Sequence, residues 1–473
     1  MAPYTVELCT AALLVVVLLA DVIARRAKTV VWLVFILGMV VVLGVSVAAR
    51  GELVLFAGSY AGDGLSWLTK IVILIGTGLA GAVSIGSLPI MEKYHGAYAA
   101  LLLAAALGMM VLVSSRELVT MYVGLETSAV SLYGLTGIAK KDVFSLEAGI
   151  KYLVIGALSS GVLLYGLALV YAGTGSTMLD GIRSALAGQA LTPLLAAGIV
   201  LILLGVGFKI TMVPMHVWTP DVYQGAPTAV SAFISVVSKS AGFVFAIRMF
   251  SFAFADQRQL WETFVMAAAV LTMTVGDLAA IPQTNVKRLL AYSSISQAGY
   301  LLVGFLGNPA TGTSTVLFYL FVYTLANVAA FSAVIAFSSA AGSDRLEDYA
   351  GLARRNPVLA LVFTFALLSL AGIPPLGGFV GKLYLFSAAM ERGYLWLVIV
   401  AALNSVVSLY YYLLVLKQMY IGESPTGAGP LTVSLPVKAV LLLTTVGTFW
   451  LGIIPGSLMR VFSEVTTRVF PGP

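Results

Sequence analysis

Charge and cysteine are what this chain has least of. Only 10% of its 473 residues are Asp, Glu, Lys or Arg, and two are histidine. The single cysteine, Cys9, has no partner for an internal disulfide and excludes a cysteine-based metal cluster. Long polar stretches are missing too. The longest, SSAAGSDRLEDYAGLARRNP near 338–357, is too short to fold as a soluble domain outside a membrane. No nucleotide-binding loop, haem-ligating pair or metal motif is present, so no cofactor is expected in this chain. The opening MAPYTVELCT has neither a cationic leader region nor a small-residue cleavage site, so the first apolar run is expected to be kept as an anchor. The net charge of +6 is explained by lysine and arginine in cytoplasmic loops and implies no nucleic-acid partner.

What is present is apolar sequence. With 60% hydrophobic residues and a mean hydropathy of +1.02, the chain is an all-α polytopic membrane protein whose first partner is the lipid bilayer. Runs of about 17 to 25 apolar residues give about fourteen spans. They lie near 5–24, 29–49, 66–84, 97–113, 116–138, 147–172, 191–213, 228–252, 262–281, 288–306, 314–339, 357–390, 395–420 and 434–455. Both termini then share one side, and placing them outside leaves about 13 Lys and Arg in inside connections against about 8 outside.

One stretch, Gly205–Phe243, is hydrophobic enough for a bilayer yet holds Lys209, Lys239, His216, Asp221 and three prolines. A charge at the bilayer centre costs about 2.5 to 3.5 kcal/mol on insertion scales, so such residues face a polar interior and mark ion or proton pathways. Two helices are expected to break: the seventh at KITMVPMHVWTP, and the twelfth at LAGIPPLGGFVGK, where Pro374, Pro375, Gly377 and Gly378 interrupt the run. Lys209 lies about 112 residues after the fourth span begins and Lys382 about 120 after the ninth, an offset that suggests two repeats. The expected division is 1–96, three N-terminal helices; 97–252 and 262–420, two five-helix repeats; and 421–473, a C-terminal membrane helix.

Each charge has a bland alternative. Glu126, the lone acid in MYVGLETSAVSLYGL, tunes a lysine or merely bonds a neighbouring helix. Lys151 follows Glu147 by four residues, so a local ion pair at the membrane surface competes with a functional role. Lys209, Lys239 and Lys382 are harder to explain as structure, because long side chains snorkel only near helix ends. Lys70 is near such an end, and snorkelling is the expected account of it. His216 titrates near neutrality when unperturbed and suits a relay; otherwise it is a structural histidine beside Trp218 and Asp221. His95, in MEKYHG, reads as a loop residue. Releasing a proton from a buried amine near pH 7 takes roughly 4 kcal/mol of destabilisation, and a carboxylate about 4 Å away returns roughly as much. A small movement of the carboxylate therefore decides whether the amine holds its proton. Ser293, Ser294, Ser296, Gln297, Asn404 and Ser405 could hold water between such sites or only join helices.

The segments EAGIKYLVIGALSSG, GFKITMVPMHVWTPDVYQGAPTAVSAFISVVSKSAGF, NVKRLLAYSSISQAGYLLVG and LAGIPPLGGFVGKLYLF together resemble the antiporter-like subunits of respiratory complex I. The resemblance spans about 126–386 and implies fourteen helices, two inverted five-helix repeats and broken helices 7 and 12. It implies proton translocation through Glu126, Lys151, Lys209, His216, Lys239 and Lys382, driven by quinone reduction elsewhere in an NAD(P)H:quinone oxidoreductase. Quinone, flavin, Fe–S and nucleotide would sit on other subunits, and other membrane subunits, including a second antiporter-like one, would be partners. The expected location is the cell's plasma (inner) membrane rather than an organellar inner or thylakoid membrane. The form GGFVGK favours the N-type subunit. One departure stands out: Gln297 occupies a place where many relatives have histidine, and an amide cannot titrate. The alternative is a subunit of a multisubunit Na+/H+ antiporter. An intramembrane enzyme lacks any paired nucleophile.

Overall fold

The computed structural model describes residues 1–23, 28–85, 94–188, 191–424 and 429–470. Arg25 and Arg26, which contribute to the loop-charge bias, lie outside them. The chain runs α1 (Thr5–Ile23), α2 (Lys28–Ala48), a two-stranded antiparallel hairpin of β1 (Leu53–Leu55) and β2 (Tyr60–Gly62), then α3 (Gly64–Ser84), α4 (His95–Ser114), α5 (Leu118–Thr136) and α6 (Val143–Thr174). There follow α7 (Leu179–Leu186), α8 (Pro193–Lys209), α9 (Thr219–Gly225) and α10 (Thr228–Ala253). The rest is α11 (Arg258–Ala280), α12 (Val286–Phe305), α13 (Pro309–Ala341), α14 (Pro357–Ala371), α15 (Gly377–Met390), α16 (Leu395–Tyr420), α17 (Leu435–Ile453) and α18 (Gly456–Val469).

Helix starts follow local chemistry. Asp63 and Ser66 form a reciprocal capping box at α3, Glu117 caps α5, and Thr192 and Asn356 cap α8 and α14 ahead of a proline in the first turn. Helices α6, α13 and α14 end on Gly175, Gly342 and Gly372, each in the left-handed region.

Among the described residues, eleven helices are long and apolar enough to cross a membrane; the apolar segments Pro193–Lys209 and Pro357–Ala371 are shorter. Those two are the first halves of the interrupted helices anticipated from sequence. Burial orders the rest. The most apolar window of α10 is 100% buried and that of α13 is 94% buried, whereas α1, α2, α16 and α17 bury a third or less and turn leucine and valine outward. The core is therefore α10 and α13, and the polar residues that matter are arranged against them. The β1–β2 hairpin went unanticipated, as did two helices: α7, and α18, which follows the last apolar helix. Both are short, with apolar residues on one side, and α18 packs on α3 and α13.

Candidate functional site

Helix α8 stops at Lys209 and the chain resumes helical form only at Thr219. Thr211 in the gap has φ +63°, a left-handed value uncommon for a β-branched residue, and the Val213–Pro214 peptide is cis. The freed backbone groups find partners inside the protein: the Trp218 indole N–H donates to the Phe208 carbonyl at 3.2 Å, and the Val213 N–H donates to Thr272 Oγ1 at 3.0 Å. Trp218 also stacks on Tyr152 with ring centres 4.5 Å apart, which fixes the turn.

Lys209 is 7% exposed, and its Nζ has no hydrogen-bond partner. Glu126 is the carboxylate whose charge acts on it, and Glu126 itself accepts from the Ser160 hydroxyl. Lys239 is 1% exposed and begins the α-helical turn after a π-helical stretch at Ile234–Ser238, the kind of local unwinding that recurs at functional positions. Its ammonium donates to the Ser294 carbonyl and to Ser294 Oγ at 2.7 Å, and Tyr323 donates to the same Oγ at 2.8 Å.

The second break mirrors the first. Between α14 and α15 lie Gly372 and the cis Pro374–Pro375 peptide. Lys382, 4% exposed, donates to the Ala371 carbonyl at 3.0 Å and to Ser405 Oγ at 3.2 Å, with its nitrogen 4.2 Å from the Tyr300 ring centre. Between the two breaks stands a hydroxyl network. Tyr412 meets Ser293 at 2.5 Å, the Tyr319 hydroxyl donates to Gln297 Oε1, and Gln297 Nε2 donates to the Leu370 carbonyl at 2.9 Å. Gln297 is thus a bridge within this network rather than a gap in it.

Lys209, Lys239 and Lys382 share one property. The lysine ion pairs formed among the described residues involve Lys70, Lys151 and Lys287, and none of these three.

Two predicted residues are held differently from the buried amines. Lys151 is 41% exposed and pairs with Glu147 at 2.8 Å and Asp221 at 2.9 Å, the local pairing anticipated as its alternative. It lines a cavity of about 500 Å³ with Asp221, Arg288, Lys287 and Asp344, on the face that carries the 137–142, 282–285 and 342–356 connections. Burial pushes the Asp344 carboxyl up, with Lys287 3.9 Å away acting against it. His216 lies in the first break with its Nδ1 buried and unpartnered. Its expected neighbours are engaged elsewhere: Trp218 with Phe208, and Asp221 with Lys151 and Arg288.

Sequence reasoning erred at three places. Lys70 does not snorkel; it is buried, 2.7 Å from Glu7 and 3.0 Å from the Tyr60 hydroxyl, because α1 and the hairpin close over the start of α3. His95 is the first residue of α4, not a loop residue, and accepts from the Trp32 indole at 3.0 Å. Asp277 was passed over. It is 0% exposed and accepts from Tyr411 at 3.0 Å and Tyr300 at 3.2 Å. The signal was available: an acid inside LTMTVGDLAA is as isolated as Glu126 in its own run.

Residues 115–408 match the family described as NADH:quinone oxidoreductase/Mrp antiporter, transmembrane. The chain is 45% identical over 455 residues to the NADH-quinone oxidoreductase subunit N of Moorella thermoacetica, covering 96% of each. It superposes on a chain of Thermus thermophilus respiratory complex I with a TM-score of 0.81 at 33% identity, covering 96% of this chain and 98% of that one. A chain of the Mrp complex from a Dietzia species has the same fold, with a TM-score of 0.89 at 24% identity, covering 99% and 98%.

Proposed function

The chain belongs to the NADH:quinone oxidoreductase/Mrp antiporter transmembrane family, and from that premise we propose that it is a proton-translocating membrane subunit of a complex I-type NAD(P)H:quinone oxidoreductase. It is a multi-pass protein of the plasma (inner) membrane and joins other membrane subunits, among them a second antiporter-like one. Electron transfer from donor to quinone takes place on partner subunits, and no redox step occurs in this chain. Fourteen membrane crossings, divided into five-helix repeats at 97–252 and 262–420, form part of the same proposal.

The observation that carries it is the trio Lys209, Lys239 and Lys382, each buried in an apolar bundle with no carboxylate among the described residues in ion-pair contact. A buried charge that serves structure is paired, because an unpaired one costs several kcal/mol after relaxation. An amine held by hydroxyls and carbonyls, as Lys239 and Lys382 are, or left without a hydrogen-bond partner, as Lys209 is, can instead alternate between ammonium and amine. A neighbouring subunit that shifts Glu126 changes the field at Lys209. Charge then passes by Lys239, with His216 as a relay, toward Lys382, while Lys151 and the cavity around it connect the interior to one membrane face.

The test is proton pumping by the assembled complex in proteoliposomes, measured as protons moved per quinone reduced. Lys209→Met and Lys382→Met should each lower that ratio while the complex still assembles; full pumping by both would end this reading. The Na+/H+ antiporter alternative shares the fold. Pumping that persists with Na+ replaced by K+ supports the quinone-linked proton reading, and strict dependence on Na+ supports the alternative.

A further inference from the structure

Asp277 is a fully buried carboxylate that the route above does not use. Its hydrogen-bond donors among the described residues are hydroxyls: Tyr411 to Oδ1 at 3.0 Å and Tyr300 to Oδ2 at 3.2 Å. Ser296, one helical turn before Tyr300 on α12, has a buried hydroxyl without a hydrogen-bond partner. The chemistry of those partners matters. Arginine or a backbone N–H can only donate and would hold Asp277 as an anion, as Arg248 does for Asp63. A hydroxyl rotates, donating to a carboxylate and accepting from a carboxylic acid, so the same partners serve Asp277 with and without a proton.

The hydroxyls also lead somewhere. On the Oδ2 side, the Tyr300 ring centre stands 4.2 Å from the Lys382 nitrogen, which donates to Ser405 Oγ at 3.2 Å. On the Oδ1 side, the Tyr411 and Tyr412 rings stand 4.5 Å apart, and Tyr412 meets Ser293 at 2.5 Å. Ser293 adjoins Ser294, the residue that holds Lys239.

We propose that Asp277 is a proton-holding residue between Lys239 and Lys382, loaded through Ser293, Tyr412 and Tyr411 and unloaded through Tyr300 and Ser405, along a path that bypasses His216; this rests on the proton-translocating reading above. In loading, Tyr411 gives its hydroxyl proton to Oδ1 and regains one from Tyr412. Tyr412 takes its replacement from Ser293, which is resupplied from Lys239 by a hop across Ser294. Each hydroxyl oxygen breaks one O–H bond and forms one, so the net change is an ammonium become an amine and a carboxylate become an acid. In unloading, the acid proton passes to Tyr300, that of Tyr300 to Ser405, and that of Ser405 to the neutral amine of Lys382. Carboxylate and ammonium result, and no other reactant is consumed.

The experiment compares Lys382→Met, Asp277→Asn, Asp277→Glu and Tyr411→Phe in the complete complex in proteoliposomes, reading protons moved per quinone reduced. Infrared difference spectra between resting and turning-over complex are recorded beside it. Asp277→Asn should lose pumping to the level of Lys382→Met, Asp277→Glu should recover part of it, and the spectra should contain a protonated-carboxyl band that Tyr411→Phe shifts. Pumping at the unmutated level in Asp277→Asn, with Lys382→Met impaired, overturns this inference and leaves the proposed function standing. Full pumping in Lys382→Met also overturns this inference, and joined by full pumping in Lys209→Met it ends that function. Should Asp277→Asn fail to assemble, the spectra decide: a carboxyl band sensitive to Tyr411→Phe supports the proposal, and its absence overturns it.

Discussion

The ammonium nitrogen of Lys382 lies 3.0 Å from the carbonyl oxygen of Ala371, the last residue of α14. It takes the place of a backbone N–H that the interrupted helix cannot supply, and it sits at the negative end of that helix's dipole, which favours a cation by about 0.3–1 kcal/mol. Lys209 is itself the last residue of α8 and meets the same field. The two breaks thus do more than interrupt a span: each presents a helix C-terminus to an amine inside the apolar bundle.

Gly372 controls the second of these contacts. Its φ is +89°, and a Cβ there would stand 3.0 Å from Lys382 Cδ. Gly372→Ala should cost about 1–2 kcal/mol from the left-handed backbone alone and displace the amine. Thermal unfolding of the purified complex should fall together with pumping; a variant unchanged in both would contradict this account of the break.

Gln297 accepts from Tyr319 and donates to the Leu370 carbonyl, a pair of bonds that neutral histidine can reproduce with its two nitrogens. Gln297→His is therefore expected to pump normally. Gln297→Leu leaves both partners buried and unpaired, at about 1–3 kcal/mol each, and should unfold at lower temperature and pump less. Equal behaviour of the two variants would show that the amide's bonds are dispensable.

Lys70 and Glu7 are a buried pair, assisted by Tyr60 and Ser114. Lys70→Met strands the carboxylate and should cost about 3–5 kcal/mol of stability, most of it recovered in the double variant with Glu7→Gln. Additive losses in a double-mutant cycle would mean the pair is not coupled. Pumping efficiency in the double variant should match the unmutated complex, since this pair lies outside the proposed route.

Asp63 contributes a pH dependence to stability. Burial alone would push its carboxyl up, but the Arg248 guanidinium, bound at 2.8 and 3.0 Å, and the Ser66 N–H hold it below the ordinary value. The stabilisation is therefore complete above about pH 3.9, the ordinary value, and is lost as pH falls through the depressed one. Asp63→Asn should lose about 3–5 kcal/mol at neutral pH by stranding Arg248. Its stability curve should converge with that of the unmutated protein in acid; a constant offset at all pH values would refute the assignment.

The sequence alone determined the membrane character, the two interrupted helices and the three amines at Lys209, Lys239 and Lys382. Each of these is a local property: apolar length, proline in a helix, and a charge whose flanking residues forbid snorkelling. It could not tell Lys70 from a snorkelling lysine, because what buries Lys70 is α1 and the hairpin, more than fifty residues away for Glu7 and Pro3. Nor could it assign Asp277, because a carboxylate among apolar neighbours is costly or useful according to which tyrosines from α12 and α16 reach it. Spacing along one helix says which face a residue occupies; only the packing of helices distant in the chain decides what that face meets. Since the energy of a buried charge is set by partners within a few ångströms, tertiary structure had the last word on which charges are clasped by a counter-ion and which are not.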